Sequence, residues 1–395
     1  MLEPLALMKQ SVPHAIKLRR ALHRRPELAF HENETSALIR SELALYGVEL
    51  LDGIIPTGVV ARIRGAYSGR TILVREDIDA LPMQENTGLI FSSETDGVCH
   101  SCGHDIHTAS LLLLAKTLFE LRAELHGSVL LVFQPAEETA SGAKAMFAAG
   151  LGQNETSYDE VIGFHVDPLL QSGTIGLIKG PANASTDIIR ITVHSQGGHG
   201  AHPYRCADPV ATAGYLLTQL QTIISRENPA LQPAVLTFGT IHGGTAPNII
   251  PTQVEMTGTL RAFNEESRYA MWEAIRRITE HGAVAMRAKA TVEIEEGVPV
   301  LVNDPTIIDG ISAAAQKLLG ENGVIFIEQP SPGSDDFSCF LHKAPGVQFR
   351  VGTSNGEACT KLGIHNPENI FDEESIYTSS AVILQYILDK LGRKE

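Results

Sequence analysis

The stretch Ile188-Ile189-Arg190-Ile191-Thr192-Val193-His194 is rich in β-branched residues and reads as a strand. The elements downstream of it decide the fold. Asp208-Pro209 opens a helix running to Arg226, Val235 to Ile241 and Gln253 to Leu260 read as strands, Glu265 to His281 is a helix closed by Gly282, and Thr291 to Glu295 is a strand. The order β-α-β-β-α-β is the split βαβ pattern. A complete unit of this kind between segments of different texture predicts a domain inserted at residues 183–297, within a second domain formed by 1–182 and 298–395.

On either side of this unit, strand-like and helical runs alternate. Thr71 to Val74 is apolar and β-prone and leads into Arg75-Glu76-Asp77-Ile78-Asp79. Ile106 to Leu121 reads as a helix carrying the run Leu111 to Leu114, Ser128 to Phe133 as a strand ending at Gln134-Pro135, Ser141 to Ala149 as a short helix stopped by Gly150, and Val161 to Phe164 as a strand. Beyond residue 298, Val347 to Val351 is a strand and Glu373 to Leu391 the last helix. The expected architecture is α/β: a mixed, mainly parallel sheet flanked by helices, with an inserted ferredoxin-like α+β domain.

The 395 residues are 43% hydrophobic and 19% charged, enough for sizeable cores in two domains. A formal charge of −15 argues against nucleic acid or anionic membrane as partner, and no apolar run reaches bilayer-spanning length. Arg19, Arg20, Arg24 and Arg25 give the beginning of the chain a basic stretch, read as an amphipathic helix ended by Arg25-Pro26. Cysteines at 99, 102, 206, 339 and 359 form an odd, scattered set that suits a reducing compartment, so cytoplasm is expected.

Side chains able to bind metal fall where strands end. Cys102-Gly103-His104-Asp105 precedes a helix, Glu137-Glu138 follows the strand ending at Phe133, His165 follows the strand Val161 to Phe164, and His365 lies beyond Val351. In open α/β sheets, ligands bind outside the carboxyl ends of strands, so these segments can converge. Thiolate, imidazole and carboxylate together suit zinc or a neighbouring first-row metal. Taken singly, each has a plain structural explanation, and the spacing matches no compact zinc motif. The residues alone reach as far as a metal hydrolase and no further.

Several runs are more specific together. Asp77-Ile78-Asp79-Ala80-Leu81-Pro82, His100-Ser101-Cys102-Gly103-His104-Asp105, Gln134-Pro135-Ala136-Glu137-Glu138, Gly163-Phe164-His165, Gly197-Gly198-His199 and Gly244-Thr245-Ala246-Pro247-Asn248-Ile249-Ile250-Pro251 occur in order along nearly the whole chain. Arg24-Arg25-Pro26-Glu27-Leu28 and His365-Asn366-Pro367 fit the same pattern. The sequence resembles the M20 metallopeptidase family in its amidohydrolase branch, which includes aminoacylases, hippurate hydrolases and auxin-conjugate hydrolases. The resemblance implies two divalent metal ions, zinc or manganese first and cobalt or nickel next, held by Cys102, His104, Glu138, His165 and His365, with Cys102 as the bridge. It implies Glu137 as general base acting on metal-activated water, Asp79 as the residue orienting a ligand, His199 as oxyanion partner, and Asn248 and Arg261 as the grip on the substrate carboxylate. The expected reaction is hydrolysis of N-acyl L-amino acids, acetyl or aromatic, by a homodimer whose inserted domain serves as lid and dimerisation surface. A dipeptidase or carboxypeptidase of the same family is the alternative.

Some readings stay open at this level. Glu137 and Glu138 can exchange roles, His202 rivals His199, and Arg261 can pair with Glu265 or Glu266 instead of substrate. Where the wider family has His-x-Asp this chain has Asp77-Ile78-Asp79, so Asp77 is not assigned as a ligand. Glu76 and Asp335 also depart from the branch, which commonly has Ala and Glu there.

Overall fold

The apolar run Val129–Phe133 is fully buried because its strand, His126–Gln134, lies inside a sheet rather than at its edge. The computed structural model describes residues 4–392. Strand His126–Gln134 pairs antiparallel with Val59–Arg64 and parallel with Tyr67–Asp77. The parallel ladder continues through Glu160–Gln171 to Gly346–Ser354. Ile175–Leu177 then joins antiparallel, Val324–Phe326 parallel to it, and Glu49–Leu51 closes the opposite edge antiparallel. The result is a mixed eight-stranded sheet with a parallel centre. Helix His104–Leu121 contributes Leu111, Leu112, Leu113 and Leu114 to the core formed with Leu131, Phe133, Ile162 and Phe164. Each such leucine adds about 1.5–3 kcal/mol through removal from water. Helix Glu374–Leu391 is tied to it by buried bonds: Ser379 Oγ donates to Ser110 Oγ (3.0 Å), and Ser380 Oγ to Ser110 O (2.9 Å).

Two compact units result. One takes the chain up to Gly180, Val302–Gln329 and the chain from Asp335; the other takes Pro181–Leu301 with Pro330–Ser334. In the second, Asp187–His194 alternates buried and partly exposed residues. It lies between Gln253–Ala262 and Lys289–Glu296, with Ala234–Gly243 outermost, all antiparallel. Helices Pro209–Thr222 and Glu265–Ala285 supply Leu216, Leu220, Met271 and Ile275 to a core with Ile189, Ile191 and Val193. This is the ferredoxin-like strand order.

Three element boundaries differ from expectation. Strand Tyr67–Asp77 continues through Arg75, Glu76 and Asp77, and strand Glu160–Gln171 runs past Phe164, so His165 lies within a strand and not after one. Gly282 does not end its helix. A Cβ there would lie 2.6 Å from Gln219 Oε1 and 2.7 Å from Leu216 Cδ2, so glycine permits close helix packing, and the helix runs to Ala285. The basic stretch belongs to helix Pro4–Arg24, where Arg19 is buried and donates to Asp105 (2.6 Å). Among the described residues no helix is long and apolar enough to cross a membrane.

Candidate active site

The parallel strands of the first unit deliver their side chains to one place. Gly103, at φ 84°, precedes helix His104–Leu121, and a Cβ on it would lie 2.6 Å from Val166 Cγ2. Only glycine lets the backbone before His104 approach strand Glu160–Gln171 this closely. Its Nδ1 donates to Asp79 O (2.9 Å), which leaves Nε2 with its lone pair. That Nε2 is buried and has no hydrogen-bond partner. His165 is held the same way: Nδ1 donates to Val166 O (2.8 Å), and Nε2 lies 3.5 Å from Cys102 Sγ.

The turn Pro135–Ala140 presents the two glutamates. Asp79 accepts the backbone N–H of Glu137 at Oδ1 (3.1 Å) and of Glu138 at Oδ2 (3.0 Å). It thus fixes the backbone of both while its own main-chain oxygen accepts from His104. Glu138 Oε2 lies 3.4 Å from His365 Nε2, and the buried Oε1 has no hydrogen-bond partner. His365, at φ 60°, is anchored by its N–H to Ser101 O (2.9 Å).

Ligand atoms of Cys102, His104 and His165 lie within 4.8 Å of one another, as do those of Cys102, Glu138 and His365. Cys102 belongs to both sets. Burial, then the Glu138 carboxylate, push its thiol well above the ordinary range, so the thiolate forms there only against positive charge. An orphaned buried polar atom costs about 1–3 kcal/mol. Divalent cations answer both needs, and a sulfur, nitrogen and oxygen donor set suits zinc or its first-row neighbours. The residues fit metal.

Behind the donors lies a polar network that sequence reasoning missed. Fully buried Arg75 donates from Nε to Gln134 Oε1 (2.8 Å), from Nη1 to Asp77 Oδ2 (2.9 Å) and from Nη2 to Asp336 Oδ1 (2.8 Å). Asp77 also takes His107 Nδ1–H at 2.5 Å, and His107 Nε2 accepts Val166 N–H (3.1 Å). Asp77 and His107 thereby brace the first set of donors. Asp335 joins the network through an ion pair with Arg75 Nη1 (3.6 Å) and also accepts Phe337 N–H (2.8 Å) and Gln348 Nε2 (2.5 Å). Carboxylate oxygens of Glu137, Asp335 and Asp336 lie within 4.8 Å of one another. Burial, followed by Asp335 and Asp336, pushes the Glu137 carboxyl well up, and burial pushes Asp336 up to about 7 against the pull of Arg75. The one sequence signal for this network was a charged triplet, Arg75-Glu76-Asp77, inside a strand.

In the second unit Gly198–His199 pairs antiparallel with Ile249–Ile250, and Gly200 N–H donates to Asn248 O (2.8 Å), so His199 and Asn248 are neighbours. His199 Nδ1 accepts Ala201 N–H (3.0 Å), which puts the ring proton on the exposed Nε2 and makes it a donor. The His202 ring centroid is 5.4 Å away. Arg261 Nη1 donates to Pro332 O (3.2 Å) and Ser334 Oγ (3.3 Å), while Glu265 is bonded to Arg268 (3.0 Å) and to Val300 N–H (2.6 Å).

Residues 73–389 match the model of peptidase family M20/M25/M40. An N-acetylcysteine deacetylase of Bacillus subtilis is 41% identical over 366 residues, 92% of this chain and 93% of its own length. Thermostable carboxypeptidase 1 of Saccharolobus solfataricus is 38% identical over 363 residues, 91% of each chain. The crystal structure of the Bacillus subtilis YXEP protein, a dinuclear metal-binding peptidase from the M20 family, matches with a TM-score of 0.85 at 37% identity, covering 97% of this chain and 99% of that one.

Proposed function

Because the chain belongs to peptidase family M20/M25/M40, we propose that it is a metal-dependent amide hydrolase whose substrates are N-acyl L-amino acids. The observation that carries this reading is the pair of donor sets sharing Cys102. Cys102, His104 and His165 would hold one divalent cation, and Cys102, Glu138 and His365 the other. When bound, the two cations supply Lewis-acid polarisation of the amide carbonyl and lower the pKa of water from about 16 towards about 7. Zinc suits this thiolate- and imidazole-rich set best, with manganese, cobalt and nickel as the other metals proposed.

Glu137 is the general base. It stands beside Glu138, and its buried, carboxylate-rich surroundings give it a high proton affinity. A group that gains a proton readily can take one from the attacking water and return it to the leaving amine. His199, with its proton on Nε2, is the donor suited to the developing oxyanion. Arg261 and Asn248 hold the free carboxylate of the substrate, for which a guanidinium fork is apt. A homodimer working in the cytoplasm completes the reading, in keeping with five unpaired cysteines.

The carboxypeptidase relative favours a second reading, cleavage of dipeptides or C-terminal residues. The test is one panel: N-acetyl and N-benzoyl amino acids beside dipeptides, with protein loaded in turn with zinc, manganese, cobalt and nickel. Free amino acid released from the acylated substrates is the expected result. Turnover of dipeptides alone would establish the second reading, and inertness towards the whole panel would remove both.

A further inference from the structure

Glu32 sits at the start of helix Asn33–Tyr46 and is fully buried. It is remote in sequence from every donor described above, yet it reaches the turn that carries Glu137 and Glu138. Its Oε1 accepts the N–H of Ala136 (2.9 Å) and the N–H of Phe30 (3.0 Å). Ala136 and Phe30 are both in the left-handed region, at φ 56° and 62°, where residues other than glycine are strained. Ala140, four residues after Ala136, is also left-handed at φ 52°. Three successive amides, those of Ala136, Glu137 and Glu138, therefore point at two carboxylates, Glu32 and Asp79.

We propose that Glu32 is a positioning residue that holds Ala136 in its left-handed conformation and so aims Glu137 at the attacking water. Asp79 grips only the two amides after Ala136, and the Ala136 carbonyl accepts Gly142 N–H (3.0 Å), so the N–H of Ala136 is the point of the turn that neither of these fixes. Glu32 supplies that missing grip. The second oxygen, Oε2, is buried without a partner, and burial together with nearby Asp79 pushes the carboxyl up to about 7. A neutral side chain with one acceptor oxygen can therefore do the work, and Gln is such a side chain. The assignment rests on Glu137 being the base.

The experiment compares Glu32→Ala, Glu32→Gln and Ser36→Ala in the full metal-loaded chain. Ser36 lies one turn along the same helix, is buried and bonds to Thr57 O, so its variant perturbs the helix without touching the turn. Two quantities are read: amide hydrogen exchange of the segment 134–142, and kcat and KM on an N-acyl amino acid. In Glu32→Ala, exchange of that segment should quicken and kcat should fall by at least about tenfold, with KM within about twofold, since misplacing a catalytic group by an ångström costs rate more than binding. Glu32→Gln should restore both, and Ser36→Ala should leave both as in the parent. The proposal is overturned if Glu32→Ala leaves exchange of the segment unchanged, if Ser36→Ala has the same effects, or if Glu32→Gln restores neither. Should the parent chain not hydrolyse N-acyl amino acids, the proposed reaction falls, while the exchange measurement still decides whether Glu32 holds the turn.

Discussion

At the scale of single residues, the neighbouring glutamates make separable predictions. Glu137→Gln keeps the shape but cannot accept a proton, so turnover should fall at least about a hundredfold while metal content, measured by elemental analysis, stays at the parent level. Loss of metal with retained activity would mean that Glu137 and Glu138 have exchanged roles. Cys102→Ala should lower metal content because its sulfur belongs to both donor sets, whereas Cys339→Ala should not. Glu32 yields a pH dependence. Its folded pKa, about 7, lies above the ordinary 4.5, so between those values the folded chain binds more protons than the unfolded one. Its contribution to stability is therefore greatest at or below about pH 4.5 and is lost as pH rises through 7. Glu32→Gln removes that loss, so in urea unfolding its stability relative to the parent should be about 2 kcal/mol more favourable at pH 8 than at pH 5. An equal difference at both pH values would contradict the shift. The residues taken singly do not separate these roles. A lone Cys, His or Glu has the same immediate context whether it binds metal or fills a core, and only family resemblance separates the ligands. Glu32, Arg75 and His107 escape because their roles depend on Ala136, Asp336 and Asp77, which no local pattern connects to them.

At the scale of elements, hydrophobic periodicity locates the strands and helices well, because each has one strongly buried face or a fully buried run. Errors gather where a residue type has two physical uses. Gly282 reads as a stop because glycine weakens helices, yet the helix runs on to Ala285 with Gln219 Oε1 and Leu216 Cδ2 within 2.7 Å of where a Cβ would stand. Strand ends read short because Arg75, Glu76 and His165 are polar, although the site keeps them in the sheet. The short helix Gly142–Ala148 shows the same double use. A Cβ on Gly142 would lie 1.6 Å from Pro135 O, so the helix can begin there only with glycine, directly behind the turn bearing Glu137. Gly142→Ala should lower the thermal midpoint, with a cost of about 1–3 kcal/mol, and reduce activity through the displaced turn. Gly214→Ala, in helix Pro209–Thr222 with open space around it, should instead raise the midpoint, by about 0.5–1 kcal/mol of stability. If both substitutions behave alike, crowding at Pro135 is not what fixes the turn.

At the scale of the whole molecule, the proposed dimer can be tested by mixing. His199→Ala and Glu137→Gln chains, each nearly inactive, should regain partial activity after subunit exchange if His199 acts on the partner's site. Silence despite exchange verified by mass would exclude action in trans. The order of the chain through its two units carries a further consequence. Strand Gly346–Ser354 lies between Glu160–Gln171 and Ile175–Leu177 in the sheet, yet the second unit is encoded between it and both of them. During synthesis the strand Glu160–Gln171 must therefore wait roughly 10–40 s, at ribosomal rates of about 5–20 residues per second, before its neighbour is translated. Through that interval it presents an unpaired edge to other nascent chains. His365 is made later still, after every other residue of the two donor sets, so those sets are completed only once the second unit has been translated.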